Sequence, residues 1–424
     1  MPTTTEKLPL LPLIMLAAAT FMSITIEMLP TGLMHLMSPD LGVSDSQVGL
    51  LMSIFAFTVV ITSTPLMALL HRVPKRILLV AVLTTFVVGT LLTSIAPTYS
   101  LIVLTRILTG IAHGVFWASV TAYTGTLVSR ENLTKAVSIT SGGGGLAFVL
   151  GVPLGTALGQ FVGWRWTFVV LALSCLVVAV LLWFVLPRGA DRVPVDTSPI
   201  EVQPAPGALG DPEQIGRAAN LPPRPNRSMR MVVLTCILCA LIMTGQYGFY
   251  SYISPYLLGP GSLPEPWLPA VLFGYGVAAA IATALTGTIF TGRPRIGFYV
   301  SAALMLIGGG LVALLPGQFA LVIVGILVWG VSMGFMPVLL QSRLIAVSPN
   351  NQRDLASALY TSGFNLGIAS GAYLGGLLLD DFGFSAPGAF YLTLIAGATI
   401  MSVIIDLRMK RRQDALRGGA TPAQ

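Results

Sequence analysis

The chain has 424 residues, of which 54% are hydrophobic and 9% charged, against roughly a quarter charged in an ordinary soluble domain. A mean hydropathy of +0.84 and apolar runs spread from Leu8 to Ile405 mark an all-α membrane protein and leave no room for a soluble catalytic domain. The net charge of +7 does not signal nucleic acid, because the bases sit between apolar runs and not on one folded surface.

A spanning helix needs about 20 apolar residues. The first run that meets this lies at roughly 10–36. It contains Glu27 and has no small-residue cleavage site, so it reads as a retained span and not as a signal peptide. Five more follow at roughly 49–70, 77–97, 100–127, 136–161 and 166–187. Residues 188–229 then break the pattern with Pro194, Pro199, Pro204, Pro206, Pro212, Pro222, Pro223 and Pro225. That stretch cannot bury a core and is expected to be a flexible cytoplasmic linker. A second six runs follow at roughly 231–258, 266–291, 297–316, 319–342, 355–379 and 386–405. The expected organisation is thus an N-terminal six-helix bundle over 1–187, the linker 188–229, and a C-terminal six-helix bundle with its tail over 230–424.

Twelve spans put both termini on one side. Of the 23 Lys and Arg, all but Arg106 and Arg165 fall in the tails, the linker or alternate loops on that side, while the opposite loops carry Asp40, Asp45, Glu265, Asp380 and Asp381. Because Lys and Arg accumulate in cytoplasmic loops, both termini are expected to be cytoplasmic. The two halves echo each other: Gly155-Thr-Ala-Leu-Gly159 in the fifth span matches Gly371-Ala-Tyr-Leu-Gly375 in the eleventh, and each precedes a turn ending Gly-aromatic, Gly163-Trp164 and Gly383-Phe384. Repeated halves are a plan of secondary transporters, with the substrate site at the repeat interface.

Only Glu27 and Arg106 are charged residues lying well inside spans, and an intramembrane charge costs several kcal/mol, roughly 2.5–3.5 for Asp, Lys or Arg at a helix centre. Such residues are functional candidates by default. Their depths differ by about one helical turn at ~1.5 Å per residue, so the two are expected to meet if their helices are neighbours. Thr20, Ser23, Glu27, Thr31 and His35 share one face of the first span, and Arg106, Gly110, His113, Trp117 and Thr121 share one face of the fourth. In lipid such polar stripes must face protein or water, so both are expected to line a central cavity. Thr25 falls off its stripe and reads as a packing residue whose hydroxyl bonds the preceding turn. His113 is a candidate proton-relay partner or a hydrogen-bonded packing residue. In the seventh span the cluster from Gly245 to Tyr252 makes Gln246 and Tyr250 candidates for the substrate cavity, with Thr31 and Trp117, and with Asn365 from the eleventh span.

The glycines at 142–145 and 151–155 of the fifth span weaken its helix and permit close approach, giving a hinge or a flat contact face. No Gly-x-x-x-x-Gly-Lys-Ser/Thr is present, so ATP-driven transport is not expected. Neither metalloprotease nor serine-hydrolase spacing occurs, and no metal or cofactor is expected; the C-x-x-C at Cys236 and Cys239 lies in an apolar run and reads as packing.

These residues resemble the major facilitator superfamily, and more narrowly its twelve-span drug:proton antiporters of the arabinose-efflux and chloramphenicol-exporter type. The resemblance rests on Glu27-Met-Leu-Pro30-Thr-Gly32-Leu, on Arg106-Ile-Leu-Thr-Gly110-Ile-Ala-His113-Gly114-Val-Phe-Trp117, on Gly151-Val-Pro153-Leu-Gly155-Thr-Ala-Leu-Gly159, and on Gly163-Trp-Arg165-Trp-Thr-Phe168. It covers nearly the whole chain outside the linker and tails. It implies the major facilitator fold, with Glu27 as the proton-coupling acid, Arg106 as the fourth-span arginine, and Gly151, Pro153, Gly155 and Gly159 as the antiporter motif. The superfamily's loop between spans two and three normally reads Gly-x-x-x-Asp-Arg-x-Gly-Arg-Arg. Here it is Met67-Ala-Leu-Leu-His71-Arg72-Val-Pro74-Lys75-Arg76, which keeps the bases Arg72, Lys75 and Arg76 and loses the Asp and both glycines.

The leading expectation is a monomeric plasma (inner) membrane exporter that moves a drug, sugar or metabolite by proton antiport, with the proton gradient as its energy source. The alternatives are a passive facilitator or importer, in which Glu27 is structural, and a receptor-like membrane protein that does not transport.

Overall fold

The computed structural model describes residues 8–129, 132–187, 228–349 and 352–418. Apart from Ser228 and Met229 the expected linker lies outside the described residues. So does Arg130.

The N-terminal half comprises α1 (Leu10–Leu41), α2 (Asp45–Leu69), α3 (Lys75–Ile95), α4 (Tyr99–Thr126), α5 (Leu133–Leu146), a π-helical turn Ala147–Gly151, α6 (Val152–Val162) and α7 (Trp164–Val185). The C-terminal half comprises α8 (Met229–Tyr250), the short α9 (Ile253–Leu258), α10 (Leu268–Ile289), α11 (Pro294–Leu314), α12 (Phe319–Val347), α13 (Arg353–Phe382) and α14 (Ser385–Gly418). With α5, the π turn and α6 forming one rod, twelve long rods result among the described residues. Eleven are long and apolar enough to cross a membrane. The twelfth, α13, has acidic residues at its end and many Gly and Ser. It packs between the halves, against α2, α8 and α14.

Helix ends follow local chemistry. Gly42 closes α1 in the left-handed conformation at φ 63°, where a Cβ would be strained. Ser44 and Gln47 then form a reciprocal capping box that starts α2. Within the rods, Ser and Thr hydroxyls bond back one turn, as Thr25 Oγ1 does to Phe21 O at 2.7 Å and Thr124 Oγ1 to Val120 O at 2.8 Å. This satisfies polar groups that lipid could not. The most exposed apolar side chains, such as Phe161, Phe184 and Leu69, belong to the outward-facing surface that a bilayer solvates.

The internal repeat is visible in packing. Gly155 and Gly159 of α6 lie against Leu29 and Leu33 of α1, and Gly371 and Gly375 of α13 lie against the Thr244 and Gly248 backbone of α8. Gly163 and Gly383, which open the next rods, share positive φ values of 83° and 74°. A second correspondence escapes the sequence reading. Gly110 and Gly114 of α4 abut Phe55 and Ser63 of α2, as Gly330 and Gly334 of α12 abut Tyr275 and Ala279 of α10. Small residues let the backbones approach, and dispersion contacts then replace lipid at the interface.

The halves meet along two long seams, α2 against α13 and the π turn with α6 against α10, and α1 touches the short α9 between them. The hydrogen bonds that cross between halves among the described residues all lie at the end of the bundle opposite the termini. Ser46 Oγ donates to Asp380 Oδ2, Ser254 Oγ to Thr31 O at 2.6 Å, and Gln160 Nε2 to Glu265 O at 2.7 Å. The far end is therefore sealed.

Candidate functional site

Glu27 and Arg106 reach the interior because α1 and α4 are long enough to cross the bundle while their polar stripes turn away from lipid. Both side chains are buried, and so are Thr20, Ser23 and Thr31. The two charges do not form the contact expected of them. Arg106 Nη1 donates to Ile26 O at 2.8 Å, its guanidinium lies 5.7 Å from the centre of the Phe168 ring, and its Nε finds no hydrogen-bond partner. Glu27 and Arg106 lie close enough to interact electrostatically, yet no ion pair joins them. The reason is geometric: the arginine reaches the main chain of α1 one residue before the carboxylate and is held there.

The partner of Glu27 is His113, whose Nε2 lies 3.6 Å from Glu27 Oε2 while its Nδ1 is 2.9 Å from Ser23 Oγ. Ser23 and Glu27 are one turn apart on α1, so the imidazole of α4 spans both. A ring that accepts from the Ser23 hydroxyl at Nδ1 carries its proton on Nε2 and directs it at the carboxylate. Phe55 holds the ring edge-on at a centroid distance of 5.1 Å, with Phe86 and Trp117 beyond it. The ring is thereby fixed in place and kept from water.

Glu27 also faces the opposite half. The neighbouring Met28, with Met52 and Val152, belongs to the same core as Tyr247 and Tyr250 of α8. Tyr247, absent from the sequence candidates, is close enough for its phenol to interact electrostatically with Glu27.

The C-terminal half supplies no buried charge here but an aromatic cluster. Gln246 is its polar centre: Trp329 Nε1 donates to Gln246 Oε1 at 2.7 Å, and Gln246 Nε2 donates to Tyr275 Oη at 3.2 Å. Tyr250 stacks on Tyr275 at 5.0 Å and meets Trp329 edge-on at 5.9 Å. Tyr275 and Trp329 are further residues the sequence reading missed. Their only signal was an aromatic in the middle of an otherwise apolar span, which is not distinctive.

The remaining candidates scatter. Thr31 does not line an open cavity: its hydroxyl donates to Met52 Sδ at 2.8 Å and its carbonyl accepts from Ser254, placing it in the far-end seal. Gln246 and Tyr250 are buried within the aromatic network and likewise face no open space. Asn365 Nδ2 donates to Thr361 O, one turn back on its own helix, at 3.0 Å. Burial decreases along the fourth-span stripe toward the terminal end, from buried Arg106 and His113 through half-buried Trp117 to exposed Thr121. On α13 it falls likewise along one face from buried Ala369 through half-buried Asn365 to exposed Thr361. Trp117 and Asn365 are thus the half-buried members of these two faces, between the buried middle and the exposed terminal end.

The glycine signature of the fifth span works as a contact face. Gly151 abuts Thr25, Gly155 abuts Leu29 and Gly159 abuts Leu33, while buried Pro153 sits in the first turn of α6 just after the π turn. The π turn itself contacts the other half, Phe148 and Val149 lying against Gly276. In the loop between α2 and α3, Arg72 is exposed and Lys75 half-buried, whereas Arg76 is buried, donates to Trp183 O and lies 4.5 Å from the Trp183 ring centre. Arg76 therefore fastens α3 to α7.

The chain matches the Major Facilitator Superfamily over residues 16–344 and again over 268–422. It belongs to that family. Among solved structures it is similar to a bacterial homologue of the human lysosomal transporter Spinster in an inward-facing, unoccupied conformation, at 16% identity over 98% of each chain and a TM-score of 0.69. It is similar to the nucleoside transporter NupG at 11% identity over 94% of this chain and 99% of that one, with a TM-score of 0.70. It also resembles a peptide-bound transporter of the POT family, at 12% identity over 94% and 96% of the two chains and a TM-score of 0.72. This major facilitator protein is a multi-pass secondary transporter of small molecules, not an enzyme.

Proposed function

We propose that this transporter exports a small molecule, a drug, sugar or metabolite, in exchange for protons, and that Glu27 carries the proton. The observation that supports this reading is the Ser23–His113–Glu27 line, a carboxyl group buried beside the opposite half and connected to a histidine. No other carboxylate among the described residues lies in the middle of a span. A proton arriving at Glu27 removes the charge that the interior must otherwise accommodate, so protonation favours a different packing of the two halves. Alternation between such packings couples proton entry to substrate exit when each ligand binds one arrangement better.

We read the terminal end as cytoplasmic from its bases, which makes the far-end seal the outer one and the described state inward-facing. On this reading the protein acts as a monomer in the plasma (inner) membrane, with residues 188–229 as a tether between halves and no cofactor beyond the proton gradient. Trp117 and Asn365 border the inward opening and are the residues proposed to meet substrate first, with Tyr247, Gln246 and Tyr250 behind them.

Counterflow in proteoliposomes with a lumenal pH-sensitive dye and a panel of compounds tests this. Proton movement opposite to substrate supports antiport; substrate equilibration with no proton flux identifies a passive facilitator.

A further inference from the structure

A groove of about 660 Å³ runs between α8 and α14 at the terminal end, within the roughly 300–1,000 Å³ of small-molecule sites. Its floor and walls are apolar, from Leu234, Ile400, Met401, Ile404 and Ile405 among others, and its mouth carries Arg230 and Arg408. Both arginines are exposed, and no described carboxylate pairs with either. The nearest acid along α14, Asp406, points the other way and is held by Arg343 at 2.8 Å and by Tyr299 at 2.9 Å. Ser228 caps the N-terminus of α8 at the same mouth, so the positive end of that helix adds to the two guanidinium charges. The groove lies on spans that lipid surrounds, and it joins a hydrocarbon-lined slot to a doubly cationic rim at the level where headgroups begin.

We propose that this groove is a binding site for an anionic phospholipid, with an acyl chain between α8 and α14 and the phosphate gripped by Arg230 and Arg408. A zwitterionic lipid would bring its own cation to the same rim and gain less. Two arginines on adjacent helices at one mouth present separate forks to a phosphate seated there, and a basic pocket between membrane helices is a setting in which anionic headgroups are recognised. The occupied groove would tie α14 to α8.

Native mass spectrometry and thermal unfolding of the full chain, with added phosphatidylglycerol or phosphatidylcholine, test the site. Wild type is expected to retain phosphatidylglycerol preferentially and to be stabilised by it. Arg230→Gln and Arg408→Gln should each weaken that retention about fivefold, with the melting temperature in phosphatidylcholine unchanged. Gly397 lines the groove, and a Cβ there meets nothing within 4 Å, so the backbone position accepts a side chain and Gly397→Leu places its bulk in the slot. It should reduce lipid retention with both arginines in place, a loss that binding of phosphate alone would not show. Equal retention of the two lipids by wild type, unchanged selectivity in the double arginine variant, or lipid binding that appears only after deletion of 196–222 would each overturn the proposal. The last result would mean that the chain's own segment fills the groove.

Discussion

His113 Nε2 stands 3.6 Å from Glu27 Oε2, and the same ring reaches Ser23 Oγ at 2.9 Å. Arg106, the more obvious counter-charge, is held by the Ile26 carbonyl. The carboxyl group therefore has an imidazole as its nearest polar side chain, and the arginine acts on it only through space. This division allows protonation of Glu27 without stranding a directly paired arginine.

Glu27→Gln should fold and insert normally, since it removes a charge from a buried site and keeps the shape of the side chain. It should abolish proton-driven accumulation while substrate counterflow persists and becomes insensitive to pH. Uphill transport at the wild-type level, measured in proteoliposomes with an imposed pH gradient, would remove Glu27 from coupling.

Double-mutant cycles separate the two partners. The cycle through Glu27→Gln and His113→Ala should show a coupling of about 0.5–3 kcal/mol in thermal stability, because the pair is in contact. The cycle through Glu27→Gln and Arg106→Ala should show less, because the arginine keeps its bond to Ile26. The reverse order would assign the ion pair to Arg106.

Glycine contacts give a prediction free of charge effects. A Cβ at Gly375 would collide with the Gly248 backbone, which cannot move aside as a side chain can. Gly375→Ala should destabilise by about 1–3 kcal/mol. Gly142, in the glycine run of α5, has open space around it, and Gly142→Ala should be neutral or stabilising by roughly 0.5–1 kcal/mol. Detergent-solubilised melting curves decide both.

The far-end seal should loosen when its cross-half bonds are cut. Asp380→Asn with Ser254→Ala removes the charged acceptor of Ser46 and the donor to Thr31. Spin labels at Thr98 and Phe382, exposed residues on opposite halves at the far end, should report a longer mean distance in the variant. An unchanged distance distribution would show that apolar packing alone holds the seal.

Two ion pairs at opposite ends should differ in weight. Arg165 bridges Asp40 at 2.9 Å with both side chains substantially exposed, whereas the Arg343 and Asp406 side chains are only 14% and 13% exposed. Asp40→Asn, which removes the exposed pair while Arg165 keeps its bonds to the Ser94 and Ala96 carbonyls, should cost under about 1 kcal/mol, and Arg343→Ala about 3 kcal/mol, because it leaves Asp406 without its cation. Chemical denaturation in matched detergent compares them directly.

The helical membrane architecture, its pseudo-repeat and the isolation of Glu27 and Arg106 were all legible in the sequence. Each rests on a property that one segment carries alone: apolar length, a glycine spacing, or a charge that lipid penalises wherever its helix goes. The side assigned to Thr25 was legible for the same reason, since its bond to Phe21 lies within one helix turn. Pairing was not. Whether Glu27 meets Arg106 or His113 depends on how α4 is rotated and shifted against α1 by small residues such as Gly89 and Gly110 packed against neighbouring helices. Periodicity fixes which residues share a face but not the angle at which two faces meet. The assembly of Tyr247, Tyr275 and Trp329 with Gln246, and the placing of Thr31 in the seal and not in a cavity, came from the same source: distant helices close-packed in three dimensions, where a shift of one turn exchanges every partner.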